Sequence, residues 1–151
     1  MKVADLMSYQ PVIADAYETV QSAAQHMRAH VVGALPVVDR GQLVGIVTDR
    51  DLALRVVAPG ERPWETYVRE VMSRAPATCR ADEELDVAVG RMLARRERRL
   101  VVVDEGNAVR GMLSVDDLVF IDETRRMALD VLERIAAMRG ELDGTFAEMQ
   151  P

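Results

Sequence analysis

The chain repeats itself, and this constrains its fold more than any other feature of the sequence. Leu6-Met7 is echoed by Val71-Met72, Pro11 by Pro76, and Val12-Ile13-Ala14 by Ala77-Thr78-Cys79, all at an offset of 65 residues. One face of a predicted helix follows at the same spacing. Val20, Ala23, Ala24 and Met27 fall at i, i+3, i+4 and i+7, and they return as Leu85, Ala88, Val89 and Met92. Leu35 to Asp39 returns as Leu100 to Asp104, and Gly41 as Gly106. One extra residue near Arg110 moves the offset to 66, after which Gly45 and Thr48-Asp49-Arg50-Asp51 return as Gly111 and Ser114-Val115-Asp116-Asp117. The duplication therefore spans Leu6 to Leu118 of the 151 residues. A unit of roughly 50 to 60 residues is marginal alone, so two like lobes, related by a pseudo-twofold axis, are expected to bury their sheets against each other.

Within one repeat the pattern reads β-α-β-β-α, which sets the class as α/β. Val3 to Met7 looks like a helical turn ending before Pro11, and Val12-Ile13-Ala14 like a short strand. A helix is predicted from Tyr17 to about Val31, with Val31 extending its apolar face. Leu35-Pro36-Val37-Val38 and Gln42 to Val47 form a hairpin about the turn Asp39-Arg40-Gly41. A second helix from Asp49 to Val57 stops at Ala58-Pro59-Gly60. These signals divide the chain into repeats at residues 3–58 and 71–122, a polar linker at 59–70 that holds the one tryptophan, Trp64, and an extended C-terminal helix at 123–144. Ile121, Thr124, Ala128, Val131, Leu132, Ile135, Met138 and Leu142 share one face of that helix, which is expected to stop between Gly140 and Gly144 and leave Thr145 to Pro151 as a frayed tail. It either packs across its own module or makes a dimer or partner contact.

The blocks Gly45-Ile46-Val47-Thr48-Asp49-Arg50-Asp51 and Gly111-Met112-Leu113-Ser114-Val115-Asp116-Asp117 each deliver a strand into a helix N-terminus. Such a junction collects unpaired backbone N–H groups and suits a polar or anionic ligand. The same residues also fit a helix cap, with Thr48 or Ser114 capping and the aspartate three positions on reaching back. Recurrence of the motif in equivalent grooves favours a ligand for Asp51, while both roles stay open for Asp117. Like junctions in two lobes should face a common interlobe groove, a usual place for small-molecule sites.

Several function classes are disfavoured. The net charge of −6 argues against broad binding of nucleic acid or anionic membrane. No window has the apolar length to cross a bilayer, and Met1-Lys2-Val3-Ala4-Asp5 lacks the core of a signal peptide, so a cytoplasmic location is expected. Cys79 stands alone, and His26 and His30 are the only histidines, so no metal set is in view and the two histidines read as exposed helix positions. No nucleophile, base and orienting group form a catalytic set, and an enzyme is not expected. The run Arg95-Arg96-Glu97-Arg98-Arg99 has no interleaved aromatic for base stacking, and its Arg95 and Arg96 read as a solvated helix end.

Leu35-Pro36-Val37-Val38-Asp39, the Gly45 to Leu52 block, and the Met7 and Pro11 that open the repeat resemble a cystathionine β-synthase (CBS) domain, and the second half resembles another. The resemblance covers about Val3 to Asp122. It implies a tandem CBS pair, commonly dimeric, that binds an adenosine-containing ligand such as AMP, ADP, ATP or S-adenosylmethionine in interlobe clefts. It implies that the aspartate of the Thr/Ser-x-x-Asp motif bonds ribose hydroxyls, with the Thr or Ser near ribose or phosphate and a Gly-x-x-Pro backbone against adenine. Carried onto the first repeat, these roles fall on Ile13 and Ala14 of the opening strand, on Gly33-Ala34-Leu35-Pro36 for the base, and on Thr48, Arg50 and Asp51. In the second repeat Ser114 and Asp117 are in place and Thr78 and Asp116 occupy the positions of Ile13 and Arg50, but Arg98-Arg99-Leu100-Val101 stands where Gly33 to Pro36 stood. The two arginines either fill the adenine space or reach phosphates in the neighbouring cleft. One competent site and one altered or empty site are expected. The function expected from the resemblance is a non-catalytic sensor, needing no cofactor, that acts as a homodimer and signals to an effector protein. The alternative is a protein- or RNA-interaction module with empty clefts, using the C-terminal helix and the Arg95 to Arg99 surface.

Overall fold

The computed structural model describes the backbone of residues 1–148 and the side chains of residues 1–138. A 3-10 turn over Val3–Asp5 precedes β1 (Ser8–Tyr9) and β2 (Ala14–Asp15). α1 (Val20–His30) starts where the Thr19 hydroxyl accepts the Ser22 N–H at 3.2 Å, and it ends at Val31 in the left-handed conformation. β3 (Ala34–Asp39) and β4 (Gln42–Thr48) form the hairpin, whose turn residues Arg40 and Gly41 both take positive φ. α2 (Asp49–Leu52) continues as a π turn over Ala53–Val57. The second repeat supplies α3 (Val68–Val71), β5 (Ser73–Arg74), β6 (Thr78–Cys79), α4 (Leu85–Arg95), β7 (Arg99–Val103), β8 (Val109–Ser114) and α5 (Val115–Val119), followed by α6 (Asp122–Glu148).

The strands form two four-stranded sheets of the same topology, in the orders β2-β3-β4-β5 and β6-β7-β8-β1. Each sheet is completed by a strand from the other repeat. β1 pairs antiparallel with β8, Ser8 opposite Met112 and Tyr9 opposite Gly111. β5 pairs likewise with β4, Ser73 opposite Ile46 and Arg74 opposite Gly45. The exchange extends upstream of each strand. The Val3 N–H donates to the Glu83 carbonyl at 3.0 Å, and Val68 donates to Glu18 at 2.9 Å. Val3 and Met7 lie in the core of the second lobe, while Val68, Val71 and Met72 lie in the core of the first. Each such side chain contributes roughly 1.5 to 3 kcal/mol on full burial, so the exchanged turns help hold the pair together.

Gly45 and Gly111 make this exchange possible. A Cβ at Gly111 would lie 2.7 Å from the Ser8 carbonyl oxygen, and one at Gly45 would lie 2.8 Å from that of Ser73 and 2.5 Å from the Met72 sulfur. The repeated glycine and the repeated methionine therefore belong to one contact, made twice.

Leu35, Val37 and Val47 face the first core and Leu100, Val102 and Leu113 the second. Pro36 and Val101 point to the opposite faces of the same strands, and both are buried. They sit between the sheets, as the predicted packing of lobe on lobe requires. At the hairpin tips Leu43 and Asn107 exchange hydrogen bonds of 3.0 Å across the lobes.

Several expectations shift. The opening strand is Ala14–Asp15, one pair later than Val12 to Ala14. Ala24 is exposed and Val31 is 90% exposed, so neither joins the core, whereas Val89, at the position matching Ala24, is buried. α6 passes through Gly140 and Gly144 without stopping. Its Thr124, Ala128 and Val131 are buried against the second lobe, while Met138 is 37% exposed. The first part of the helix thus packs on the second lobe. The expected place of Leu142 on that face lies outside the described side chains, and Met149 to Pro151 lie outside the described residues. No helix among the described residues is long and apolar enough to cross a membrane.

Candidate ligand-binding clefts

Both strand-to-helix junctions fold as caps. The Thr48 hydroxyl accepts the Asp51 N–H at 3.1 Å, and the Asp51 carboxylate accepts the Thr48 N–H at 2.9 Å. At the second junction the Ser114 hydroxyl accepts the Asp116 N–H at 3.2 Å, and Asp117 Oδ2 accepts the Ser114 N–H at 2.7 Å. The capping role read from the sequence is therefore realised twice.

The two aspartates differ in what their second oxygen meets. Asp51 Oδ1 lies 3.8 Å from the Arg55 guanidinium. The position matching Arg55 is Ile121, and among the described residues no protein donor engages Asp117 Oδ1. Burial pushes the Asp117 carboxyl above the ordinary range, and the neighbouring Asp116 adds to this, against the Ser114 N–H and the Arg99 charge.

Two cavities open between the lobes, and each mixes the repeats. The first, of about 450 Å³, has Ser8 to Val12 except Tyr9 on one side and His30 to Ala34 on another, with Arg99, Met112, Ser114, Asp116 and Asp117 opposite. Its walls are largely apolar (Pro11, Val12, Val31, Val32, Ala34 and Met112) and its polar groups are acidic or neutral, apart from His30 and Arg99. The second, of about 460 Å³, is the counterpart by repeat position. It has Ile46, Thr48 and Arg50 opposite Ser73 to Pro76 and Arg95 to Arg99. Left-handed residues bracket both cavities at matched places, Gln10 and Val31 in the first, Ala75 and Arg96 in the second.

This regroups the site residues. Sequence reasoning joined Gly33 to Pro36 with Thr48 to Asp51 inside one repeat. In the structure Gly33 and Ala34 line a cavity with Ser114, Asp116 and Asp117, while Thr48 and Arg50 line the other with Arg98 and Arg99. Arg99 lines both, and the Arg98 guanidinium reaches Asp116 at 3.6 Å across the boundary. Ala14, Leu35 and Leu100 are core residues and Pro36 is buried between the sheets, so their side chains do not line either cleft. Ile13 is exposed away from the described cavities. Thr78 lies in a separate outer hollow with Cys79, Arg80, Glu83 and Arg91. A Cβ at Gly33 would stand 2.9 Å from Asp49 Oδ2, the movable end of an exposed side chain, so packing alone does not demand glycine there.

Sequence reasoning missed the segments Ser8 to Pro11 and Ser73 to Pro76 as cleft walls. The repeated Pro11 and Pro76 were the available signal. The left-handed turns beside them carry no sequence mark, since Gln10 and Ala75 are ordinary residues.

His26 and Cys79 line neither cleft, while His30 lines the first. His26 Nε2 lies 3.6 Å from Glu18, and His30 Nδ1 lies 3.0 Å from the His26 carbonyl. Among the described residues no three His, Cys, Asp or Glu side chains converge as a metal site requires. Burial pushes the Cys79 thiol up to about 12, which leaves it protonated and unreactive near neutral pH.

Comparison with known proteins agrees with this architecture. A family model described as the CBS domain matches residues 3–58 and again 68–124. The CBS domain-containing protein YhcV of Bacillus subtilis is 38% identical over 134 residues, covering 89% of this chain and 94% of its own length. A solved CBS domain pair in complex with 5′-methylthioadenosine and S-adenosyl-L-methionine is 28% identical, with a TM-score of 0.71 over 80% of this chain and 98% of that one. A conserved CBS domain protein of unknown function from Thermoplasma acidophilum, 24% identical, has the same fold, with a TM-score of 0.77 over 89% of this chain and 75% of its own.

Proposed function

The chain belongs to the CBS-domain family as a tandem pair, and from that premise we propose that it is a ligand-sensing regulatory module whose first cleft binds an adenosine-containing ligand. The observation that carries this reading is Asp117. Its carboxylate is anchored by one oxygen at the cap and offers the other to a cavity of adequate size. A carboxylate oxygen accepts from vicinal hydroxyls, which suits a ribose. The apolar walls around Gly33 and Ala34 suit a flat base, and Asp116 and Asp117 disfavour a phosphate chain more than a neutral or cationic 5′ group. 5′-Methylthioadenosine and S-adenosylmethionine are accordingly better candidates for this cleft than AMP, ADP or ATP. No cofactor takes part in this reading.

The output is a shift in lobe arrangement. A ligand gripped by both repeats favours the arrangement in which both grips are satisfied, and it can bias the module only by that difference in affinity. Leu54, in the π turn that continues α2, and Phe120, the residue that caps the end of α5, hold matched positions and are 54% and 85% exposed. They support a homodimer or an effector protein as the receiver of the shift.

Calorimetric titration with 5′-methylthioadenosine and S-adenosylmethionine tests the site. Asp117→Ala is expected to weaken binding by about 1.5 to 3 kcal/mol, tenfold to a hundredfold, and Asp51→Ala by far less. Equal losses in both variants, or no binding to the unaltered protein, would overturn the assignment.

A further inference from the structure

We propose that the second cleft is an oligophosphate site that has no use for a base. Six arginines line it, Arg50, Arg74, Arg95, Arg96, Arg98 and Arg99, against the single carboxylate of Glu97. They converge from α2, β5, β7 and the end of α4, so the cluster is assembled by the fold. Two are already engaged. Arg95 meets Glu97 at 3.2 Å and the Ala75 carbonyl at 3.1 Å, and Arg98 meets Asp116 at 3.6 Å. Among the described residues Arg50, Arg74, Arg96 and Arg99 have no carboxylate within 4.0 Å, in a chain whose net charge is −6.

Guanidinium groups gathered in one open cavity with few carboxylate partners still repel one another through the solvent, and an anion of matching charge removes that cost. Guanidinium forks bind phosphate oxygens in pairs, and a chain of two or three phosphates offers enough oxygens for several forks at once. A base is not provided for. Arg98 and Arg99 stand where Gly33 and Ala34 flank the other cleft, and no aromatic ring lines the cavity for stacking. Inorganic tripolyphosphate and the phosphate tail of a nucleotide share the chemistry the cleft recognises.

The test is titration calorimetry with tripolyphosphate, pyrophosphate and ATP, on the unaltered protein and on Arg50→Gln/Arg74→Gln. Both residues are exposed and unpaired with carboxylates, so the double variant keeps the fold. Tripolyphosphate is expected to bind more tightly than pyrophosphate, to lose at least tenfold in the double variant, and to weaken steeply with added salt. ATP is expected to match tripolyphosphate within a few fold. Repeating the titration with saturating 5′-methylthioadenosine should leave the affinity nearly unchanged, and it separates this proposal from the nucleoside reading of the first cleft, because tripolyphosphate binding does not require that reading to hold. No tripolyphosphate binding, an unaffected double variant, or ATP binding more than tenfold tighter than tripolyphosphate would overturn the proposal. A single-stranded oligonucleotide that outcompetes tripolyphosphate and loses affinity in the same variant would overturn the choice of occupant.

Discussion

The junctions at Thr48–Asp51 and Ser114–Asp117 have the same backbone, the same cap and the same exchanged strand beside them, yet their cavities carry opposite charge. The divergence comes from positions outside the shared motif. Arg55 becomes Ile121 one turn beyond the aspartate, and this frees the Asp117 oxygen that Arg55 approaches in Asp51. Gly33 and Ala34 become Arg98 and Arg99 on the strand opposite, and Arg50 becomes Asp116. A duplicated scaffold thus keeps its folding contacts and specialises through a few side chains that the folding contacts do not use.

If that division is right, changes at the shared contacts should injure both lobes alike. Gly111→Ala and Gly45→Ala each force a Cβ against a backbone carbonyl, and each is expected to cost about 1 to 3 kcal/mol. Urea unfolding checks this. A loss confined to one variant would show that the exchange is held differently in the two lobes.

Smaller and lopsided effects are expected where the copies differ. Val31 and Arg96 hold the same left-handed helix end, φ 54° in each, but Val31 is β-branched. Val31→Gly should stabilise the fold by about 1 kcal/mol and Arg96→Gly by less, measured by the same unfolding. Equal gains would mean that branching is not the source of the strain.

The finest test concerns the raised carboxyl of Asp117. A carboxyl whose pKa is raised on folding favours the folded state below its ordinary value of 3.8, and this contribution is lost as pH rises through the folded value. Asp117→Asn keeps an acceptor for the Ser114 N–H and abolishes that loss. The variant should therefore gain stability relative to the parent as pH rises across that interval, and keep the gain at neutral pH. Asp51→Asn is the comparison. A stability difference from the parent that does not vary with pH would show that burial of Asp117 carries no cost.

The lobes were legible in the sequence because a spacing of 65 holds through apolar positions that pack in the core, such as Val20 with Leu85 and Met27 with Met92. The exchange of strands was not. β1 and β5 are two residues each, too short to show a period, and their pairing depends on contacts about a hundred residues apart in one case. The same exchange decides which motifs meet, so Gly33 and Ala34 share a cleft with Ser114 and Asp117 of the other repeat and not with Thr48 and Asp51 of their own. The end of α6 was missed for a local reason, since glycine lowers helix stability without forbidding it and the helix passes Gly140 and Gly144.

The exchanged strands also set the order in which the molecule can come together. Ser8 and Tyr9 emerge from the ribosome about 100 residues before β8, so the second sheet closes only after nearly the whole module has been made. Such a contact closes a long loop and comes late, which makes folding of the two lobes one event rather than two. A partial chain holding one repeat lacks both a sheet edge and part of a core. The clasp therefore acts as a check on completeness, since the clefts, lined from both repeats, exist only in a chain whose two halves have each found the other.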